Sequence, residues 1–266
     1  MDAALRDRTR RLWPAGSFST EDALALKAER LTTVVIPARD EAATVGAVVG
    51  AVHTAHGRLL GSGLVDEIVV VDDGSSDGTA RAARAAGARV RRLHRSGGKG
   101  RAMAEGAKVA GGDLVVFLDA DVLDTDPAWV PQLLGPLLLD ESIELVKAFY
   151  ERPLEGRPTG GGRVTQLAAR PILSLLFPDL GGILQPLAGE TAVRRTAVLE
   201  LGIEPGYGAE LGLLIDVARR SGASAIAQVD LGVRTHRNRP LSELGPMARD
   251  VLAVALARAG VPTASS

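Results

Sequence analysis

Apolar and polar positions fall into alternating blocks along the first half of the chain. Thr32-Thr33-Val34-Val35-Ile36 is a short β-branched run closed by Pro37, the pattern of a strand buried on both faces. Glu41 to His56 carries helical spacing, and Glu67 to Val71 is a second apolar strand. Gly78 to Ala86 reads as helix, Ala88 to Leu93 as strand, Gly100 to Ala110 as helix and Leu114 to Leu118 as strand. Strand and helix in alternation, with short polar connections, predict an α/β fold with a mostly parallel sheet covered on both faces. Before this block, Ser19 or Thr20 is placed to cap a short helix whose first turn holds Glu21 and Asp22.

Beyond Asp121 the pattern loosens. A helix is expected over Pro127 to Leu139 and a strand over Ile143 to Phe149. A Pro/Gly-rich loop follows at Arg152 to Gly162, then a helix from Arg163 to Phe177. Ala209 to Arg220 reads as helix, Ser224 to Leu231 as strand and Leu241 to Ala259 as a final helix. In that last helix Leu244, Met247, Val251, Leu252 and Ala255 form an apolar face that fits either a partner or the chain's own core.

Composition removes several function classes. Lys+Arg 31 against Asp+Glu 32 leaves a net charge of -1, so no global basic field points to nucleic acid. Cysteine is absent, which excludes disulfides, thiolate metal sites and thiol nucleophiles. The N-terminal segment lacks the apolar run of a signal peptide, and no stretch approaches the roughly 18 to 20 apolar residues of a spanning helix. A cytoplasmic location without membrane attachment is expected.

The chemistry-bearing residues gather where strands are expected to end, the edge at which open α/β sheets bind ligands. Asp119-Ala120-Asp121 directly follows the apolar LVVFL run. Residues two apart in an extended segment point the same way. Two carboxylates about 4 Å apart repel by roughly 4 kcal/mol at an effective dielectric near 20, so a cation is expected beside them. A hard divalent ion bridging to a diphosphate meets that need. An isolated pair of this kind is more often a solvated turn; the acidic turns ending two earlier strands favour the functional reading. Asp72-Asp73-Gly74-Ser75 serves either as an Asp-Gly turn or as an acceptor for a base or ribose, and Glu41 also suits a helix start.

Two glycine-rich segments suggest anion sites. Ser96-Gly97-Gly98-Lys99-Gly100 lacks the Walker A spacing, but its backbone can approach a phosphate with Lys99 adding a charge. Gly160-Gly161-Gly162-Arg163-Val164-Thr165 opens a helix and offers a nest of N–H groups, a guanidinium fork and a hydroxyl. A second, separate anion site implies a second substrate carrying phosphate or carboxylate. Arg234-Thr235-His236-Arg237-Asn238-Arg239-Pro240, after a strand, is the densest cluster of polar donors. A lone His is seldom a metal ligand, but His236 gains that prospect beside an aspartate pair.

Taken together, VVIPARDEAATV, EIVVVDDGSSDGT, GGKGRAM, VVFLDAD, ELVKAFYERPL, TGGGRVTQLAARP, LQPLAGE, GYGAELGLLID and AQVDLGVRTHRNRPLSELG resemble the GT-A glycosyltransferases. The second half narrows the resemblance to the retaining glucosyl-3-phosphoglycerate synthases and their mannosyl relatives, over roughly Leu31 to Val261. The resemblance implies a Rossmann-like GT-A sheet flanked by helices with a fused acceptor-binding subdomain. Its parts are an N-terminal arm (1–30), a nucleotide-sugar half (31–122), an acceptor half (123–240) and a C-terminal helix and tail (241–266). It implies that Pro37, Ala38, Glu41, Asp73, Lys99, Asp119 and Ala120 line a uridine diphosphate pocket. Asp121 and His236 would hold Mg²⁺ or Mn²⁺, and Gly162, Arg163, Thr165, Arg234 and Asn238 would bind 3-phosphoglycerate. Catalytic roles fall on Glu210 at the donor sugar, the Leu187 carbonyl near the attacking hydroxyl, Asp119 and Lys99. The implied reaction moves glucose from UDP-glucose to the 2-hydroxyl of 3-phosphoglycerate with retention, in a homodimer. Two positions depart from the family pattern: Asp40 stands where Asn is usual before the Glu, and Arg101 replaces an acidic residue after Gly100. A mannosyl enzyme using GDP-mannose and a non-catalytic nucleotide-sugar-binding protein are the alternatives.

Overall fold

A computed structural model describes residues 11–54, 63–151, 162–234 and 241–262. Its frame is one eight-stranded sheet in the order β1-β8-β6-β7-β5-β2-β3-β4. The strands are β1 (Leu12–Trp13), β2 (Thr32–Ala38), β3 (Glu67–Asp72), β4 (Arg89–Arg92), β5 (Leu114–Phe117), β6 (Leu145–Glu151), β7 (Thr191–Arg194) and β8 (Ile226–Val233). All neighbours pair in parallel except β7, which is antiparallel to both β5 and β6. The mostly parallel α/β sheet read from the sequence is therefore present.

Strand alternation splits the interior into two cores. Val34 and Ile36 of β2, Ile68 and Val70 of β3 and Leu114 and Val116 of β5 face one layer; Val35, Val69, Val71, Val115 and Phe117 face the other. The first layer is covered by helices α1 (Thr20–Lys27), α2 (Val45–Thr54), α3 (Thr79–Ala85) and α5 (Trp129–Leu139). The second is covered by α4 (Gly98–Val109), α6 (Arg170–Leu176), α7 (Arg195–Leu201), α8 (Ala209–Ser221) and α9 (Leu241–Arg258). Helix α4 lies close against the sheet at Gly106, where an added Cβ would stand 2.2 Å from Val35 Cγ1. In α9, Val251 and Ala255 are fully buried in the second core, so its apolar face packs on its own chain.

Several boundaries differ from the sequence reading for identifiable reasons. Ser19 caps α1 through a reciprocal pair: its hydroxyl accepts from Asp22 N–H while Asp22 accepts from Ser19 N–H. Strand β2 runs through Pro37 to Ala38 instead of stopping at Pro37. Its pairing with β5 ends at Val35, so the missing proline N–H falls where β5 has no partner to lose. Helix α2 starts at Val45, not Glu41, because residues 41–44 form a tighter turn in which the Glu41 carbonyl accepts from Thr44 N–H at 3.2 Å. The helix expected over Arg163 to Phe177 is divided. Thr165–Ala169 forms a π turn that runs into α6, whose second residue, Pro171, cannot donate to Leu167. Strand β7 and helix α7 carry too short a pattern, TAVR followed by RTAVLEL, to be separated from loop in the sequence. Among the described residues, no helix is long and apolar enough to cross a membrane.

Candidate active site

Strands β2, β3, β5, β6 and β8 all run toward one edge of the sheet, and β7 departs from it. The turns leaving β2 and β3 are cross-braced there. Asp40 N–H donates to Ser75 Oγ at 3.0 Å, Ser76 N–H to Asp40 Oδ1 at 2.8 Å, Glu41 N–H to Thr79 Oγ1 at 2.9 Å and Ala42 N–H to Asp77 Oδ2 at 3.0 Å. Asp40 sits at φ 56, a left-handed conformation that Asp and Asn both tolerate. Its carboxylate accepts from Ser76 N–H and Oγ–H, a function an Asn amide oxygen also performs, and lies 3.8 Å from Arg39 Nε.

A cavity of about 530 Å³ opens at this edge. Each site residue proposed from the sequence that lies within the described residues lines it. The strand-end set supplies Pro37, Ala38, Glu41, Asp73, Lys99 and the Asp119-Ala120-Asp121 turn. The later set supplies Gly162, Arg163, Thr165, Leu187, Glu210 and Arg234. His236 and Asn238 lie outside the described residues, as do Gly160 and Gly161. Arg39, Tyr207, Leu244 and Met247, which the sequence reading did not assign, also line the cavity. Arg39 Nη1 donates to Ser96 Oγ at 2.7 Å and so ties the first turn to the Gly-rich loop.

Asp73 behaves differently from a free acceptor. Its carboxylate receives Ser96 Oγ–H at 2.8 Å, Gly97 N–H at 2.8 Å and Gly98 N–H at 2.9 Å. The amides expected to meet a phosphate are thus turned onto an internal anion, and Asp73 holds the loop that precedes Lys99. Asp72, fully buried, accepts from Ser75 N–H at 2.8 Å and pairs with Arg92 at 3.3 Å.

The aspartate pair does draw cations, and the protein provides two of them. Lys99 Nζ lies 2.5 Å from Asp119 Oδ1 and 2.6 Å from Glu210 Oε1. Arg234 Nη2 lies 3.3 Å from Asp119 Oδ2 and 3.7 Å from Asp121 Oδ1. Burial works against charge on Lys99, but the carboxylates of Asp119 and Glu210 outweigh it and hold the ammonium well above its ordinary pKa. For Asp119 burial again opposes charge, and Lys99 with Arg234 more than offsets it, keeping the carboxyl far below the usual range. Gly189 backs the aspartate so closely that an added Cβ would stand 2.2 Å from Asp119 Oδ1.

Asp121 differs from its neighbour in being half-exposed, with a side-chain exposure of 44%. One open carboxylate suits Mg²⁺ or Mn²⁺ that takes its other ligands from phosphate, water and further side chains. Among the described residues there is no group of three or more His, Cys, Asp or Glu placed to hold an ion. The donor set fits a cation shared with a bound diphosphate rather than one caged by protein alone.

Three buried residues behind the cavity escaped the sequence reading. Glu190 is fully buried between Arg234 and Tyr150, and Lys147, 1% exposed, donates to the Ala188 carbonyl at 2.6 Å and Thr191 Oγ1 at 2.9 Å. Burial lowers the Lys147 pKa to about 8, partly countered by Glu210. A lysine within the apolar run LVKAFY carries a signal of its own, because charge inside a two-sided strand requires partners.

Comparison with known proteins agrees with this geometry. The profile of glycosyl transferase family 2 matches residues 33–196. A glucosyl-3-phosphoglycerate synthase of Mycolicibacterium paratuberculosis is 46% identical over 275 residues, covering 98% of this chain and 81% of that protein. The Mycobacterium tuberculosis glucosyl-3-phosphoglycerate synthase with Mn²⁺, UDP-glucose and phosphoglyceric acid superposes with a TM-score of 0.86 at 46% identity, covering 95% of this chain and 89% of that one. The same enzyme with Mn²⁺, UDP and glucosyl-3-phosphoglycerate also gives a TM-score of 0.86, at 45% identity over 96% of this chain and 89% of that one. This chain belongs to glycosyl transferase family 2 and, within it, to the glucosyl-3-phosphoglycerate synthases.

Proposed function

We propose that the protein transfers glucose from UDP-glucose to the 2-hydroxyl of 3-phosphoglycerate, releasing UDP with retention at the anomeric carbon. The observation carrying this reading is that a single cavity joins the strand-end residues to Gly162, Arg163 and Thr165. A nucleotide diphosphate sugar on the first set and a phosphorylated acid on the second meet beside Glu210 and Leu187. The C1–O bond to the diphosphate breaks with its electron pair going to UDP, the bond from C1 to the acceptor oxygen forms, and the hydroxyl proton passes to the departing diphosphate oxygen.

Charge develops on the leaving diphosphate, and Lys99 is placed to meet it as an ammonium that Asp119 and Glu210 keep protonated. A divalent cation on Asp121 and His236 supplies further neutralisation of the diphosphate when bound. Arg163 and Thr165 grip the acceptor's phosphate and carboxylate, so its hydroxyl is presented in one orientation. Glu210, 6% exposed, takes the donor sugar's hydroxyls, and the Leu187 carbonyl lies near the acceptor hydroxyl. Residues 31–122 then form the nucleotide-sugar half and 123–240 the acceptor half, with Glu210 of the second reaching the donor sugar. A homodimer acting in the cytoplasm completes the reading.

The test is incubation with 3-phosphoglycerate, Mg²⁺ or Mn²⁺, and either UDP-glucose or GDP-mannose, with product identified by mass and anomeric coupling. Glucosyl-3-phosphoglycerate with the donor's anomeric configuration is expected from UDP-glucose. Turnover confined to GDP-mannose would reassign the donor. Donor binding without acceptor-dependent UDP release would mark a binding protein.

A further inference from the structure

We infer that Glu190 and Tyr150 are positioning residues that fix the guanidinium of Arg234 at the acceptor side of the active site. Neither residue lines the cavity, so both act through the arginine. This inference rests on the proposed function, with Arg234 among the acceptor-binding residues that the family resemblance implies.

The three groups come from three adjacent strands. Tyr150 lies on β6, Glu190 immediately precedes β7, and Arg234 immediately follows β8. Arg234 Nη1 donates to Tyr150 Oη at 2.7 Å and to Glu190 Oε2 at 2.9 Å, while Tyr150 Oη–H donates to the same Glu190 oxygen at 2.9 Å. The tyrosine ring also lies beneath the guanidinium, with 5.3 Å from Cζ to the ring centroid. One end of a planar, rigid fork is thereby fixed by a hydrogen-bonded triangle and a ring face. The other end, Nη2, faces Asp119 and Asp121.

Without that anchor, nothing in the aspartate pair selects one arginine orientation. Nη2 donates one hydrogen bond to Asp119 Oδ2 at 3.3 Å and stands 3.7 Å from Asp121 Oδ1, a single bond and an ion pair that do not by themselves fix the plane of the fork. A guanidinium free to swing would close fully onto the aspartates and leave the acceptor without its donor. A wholly buried Glu190 carboxylate costs desolvation that a strand end does not otherwise need, and the arginine and phenol are its compensation. The tyrosine hydroxyl completes the triangle by accepting from Arg234 and donating to Glu190, which leaves it satisfied on both sides.

The experiment is steady-state kinetics of the full chain, read as UDP release, for Glu190→Gln, Tyr150→Phe, Arg234→Lys and the Glu190→Gln/Arg234→Lys double variant. Glu190→Gln is expected to raise KM for 3-phosphoglycerate by about tenfold, with KM for UDP-glucose moving less than about twofold. Tyr150→Phe, which removes one oxygen and keeps the ring, is expected to shift the same constant by about threefold. In the Arg234→Lys background Glu190→Gln should add little, because its effect runs through the arginine. If Arg234→Lys selectively weakens the acceptor while Glu190→Gln and Tyr150→Phe alter both substrates alike or neither, the positioning inference is overturned and the acceptor reading survives. An Arg234→Lys variant with unchanged acceptor KM overturns the acceptor role of Arg234 itself.

Discussion

The two sides of this cavity, proposed above to take donor and acceptor, are built by different means. On the donor side, turns at the ends of β2 and β3 are braced by hydrogen bonds between residues that lie 35 to 38 positions apart. On the acceptor side, the arginine beyond β8 is held by Tyr150 and Glu190, which lie 84 and 44 positions away. The first region uses backbone amides and small polar side chains at strand ends. The second uses buried charge, with Lys147, Glu190 and Arg234 all nearly inaccessible. Turn chemistry tolerates small changes because water can replace a lost bond; an unpaired charge beneath the sheet edge has no such substitute.

The sharpest break of this comparison is expected at Asp121. Asp121→Ala should lower kcat by about a thousandfold or more, a loss of roughly 4 kcal/mol of transition-state stabilisation, with the circular dichroism spectrum unchanged. The half-exposed carboxylate contributes little to folding. Full activity of this variant in chelated buffer contradicts the metal role.

A pair of glycine substitutions sharpens the contrast between frame and site. Added Cβ atoms at Gly189 and Gly106 would each stand 2.2 Å from a neighbour, Asp119 Oδ1 in one case and Val35 Cγ1 in the other. Gly189→Ala should displace Asp119 from Lys99 and Arg234 and lower kcat/KM by about a hundredfold. Gly106→Ala should instead lower stability by about 1–3 kcal/mol and leave kcat per folded molecule nearly unchanged. Denaturant melts alongside kinetics separate the two, and matching profiles would erase the distinction.

The smallest effect concerns Lys147. Its folded pKa, near 8, lies below the ordinary lysine value, so between the two the unfolded chain binds more protons and stability rises with pH. Relative to Lys147→Met, the unsubstituted protein should gain roughly 2 kcal/mol between pH 7.5 and 9.5. Parallel denaturation curves at both pH values would show that the buried amine titrates normally.

The same contrast explains what could be read from the chain. Apolar runs ending in acidic turns announce β2, β3 and β5 and their ligands, since strand, turn and chemistry lie within a dozen residues. Arg163 and Thr165 were legible because glycines precede them at a helix start. Strand β7 was not, because its four residues carry no period long enough to count, and its place between β5 and β6 is decided by distant partners. Glu190 and Tyr150 stood inside recognisable motifs without a visible task, since their function appears only when β6, β7 and β8 lie side by side. The electrostatic need beside Asp119 and Asp121 was legible; its protein share, from Lys99 and Arg234, was visible only in three dimensions.

The carboxylate of Asp73, seated among the amides of the glycine-rich loop, has a consequence for how the donor arrives. A segment that encloses its own anion reaches final shape during folding, so the entropy of ordering it is no longer charged to nucleotide capture. For this segment, at least, the donor meets backbone already in place, with the field of Lys99 beside it.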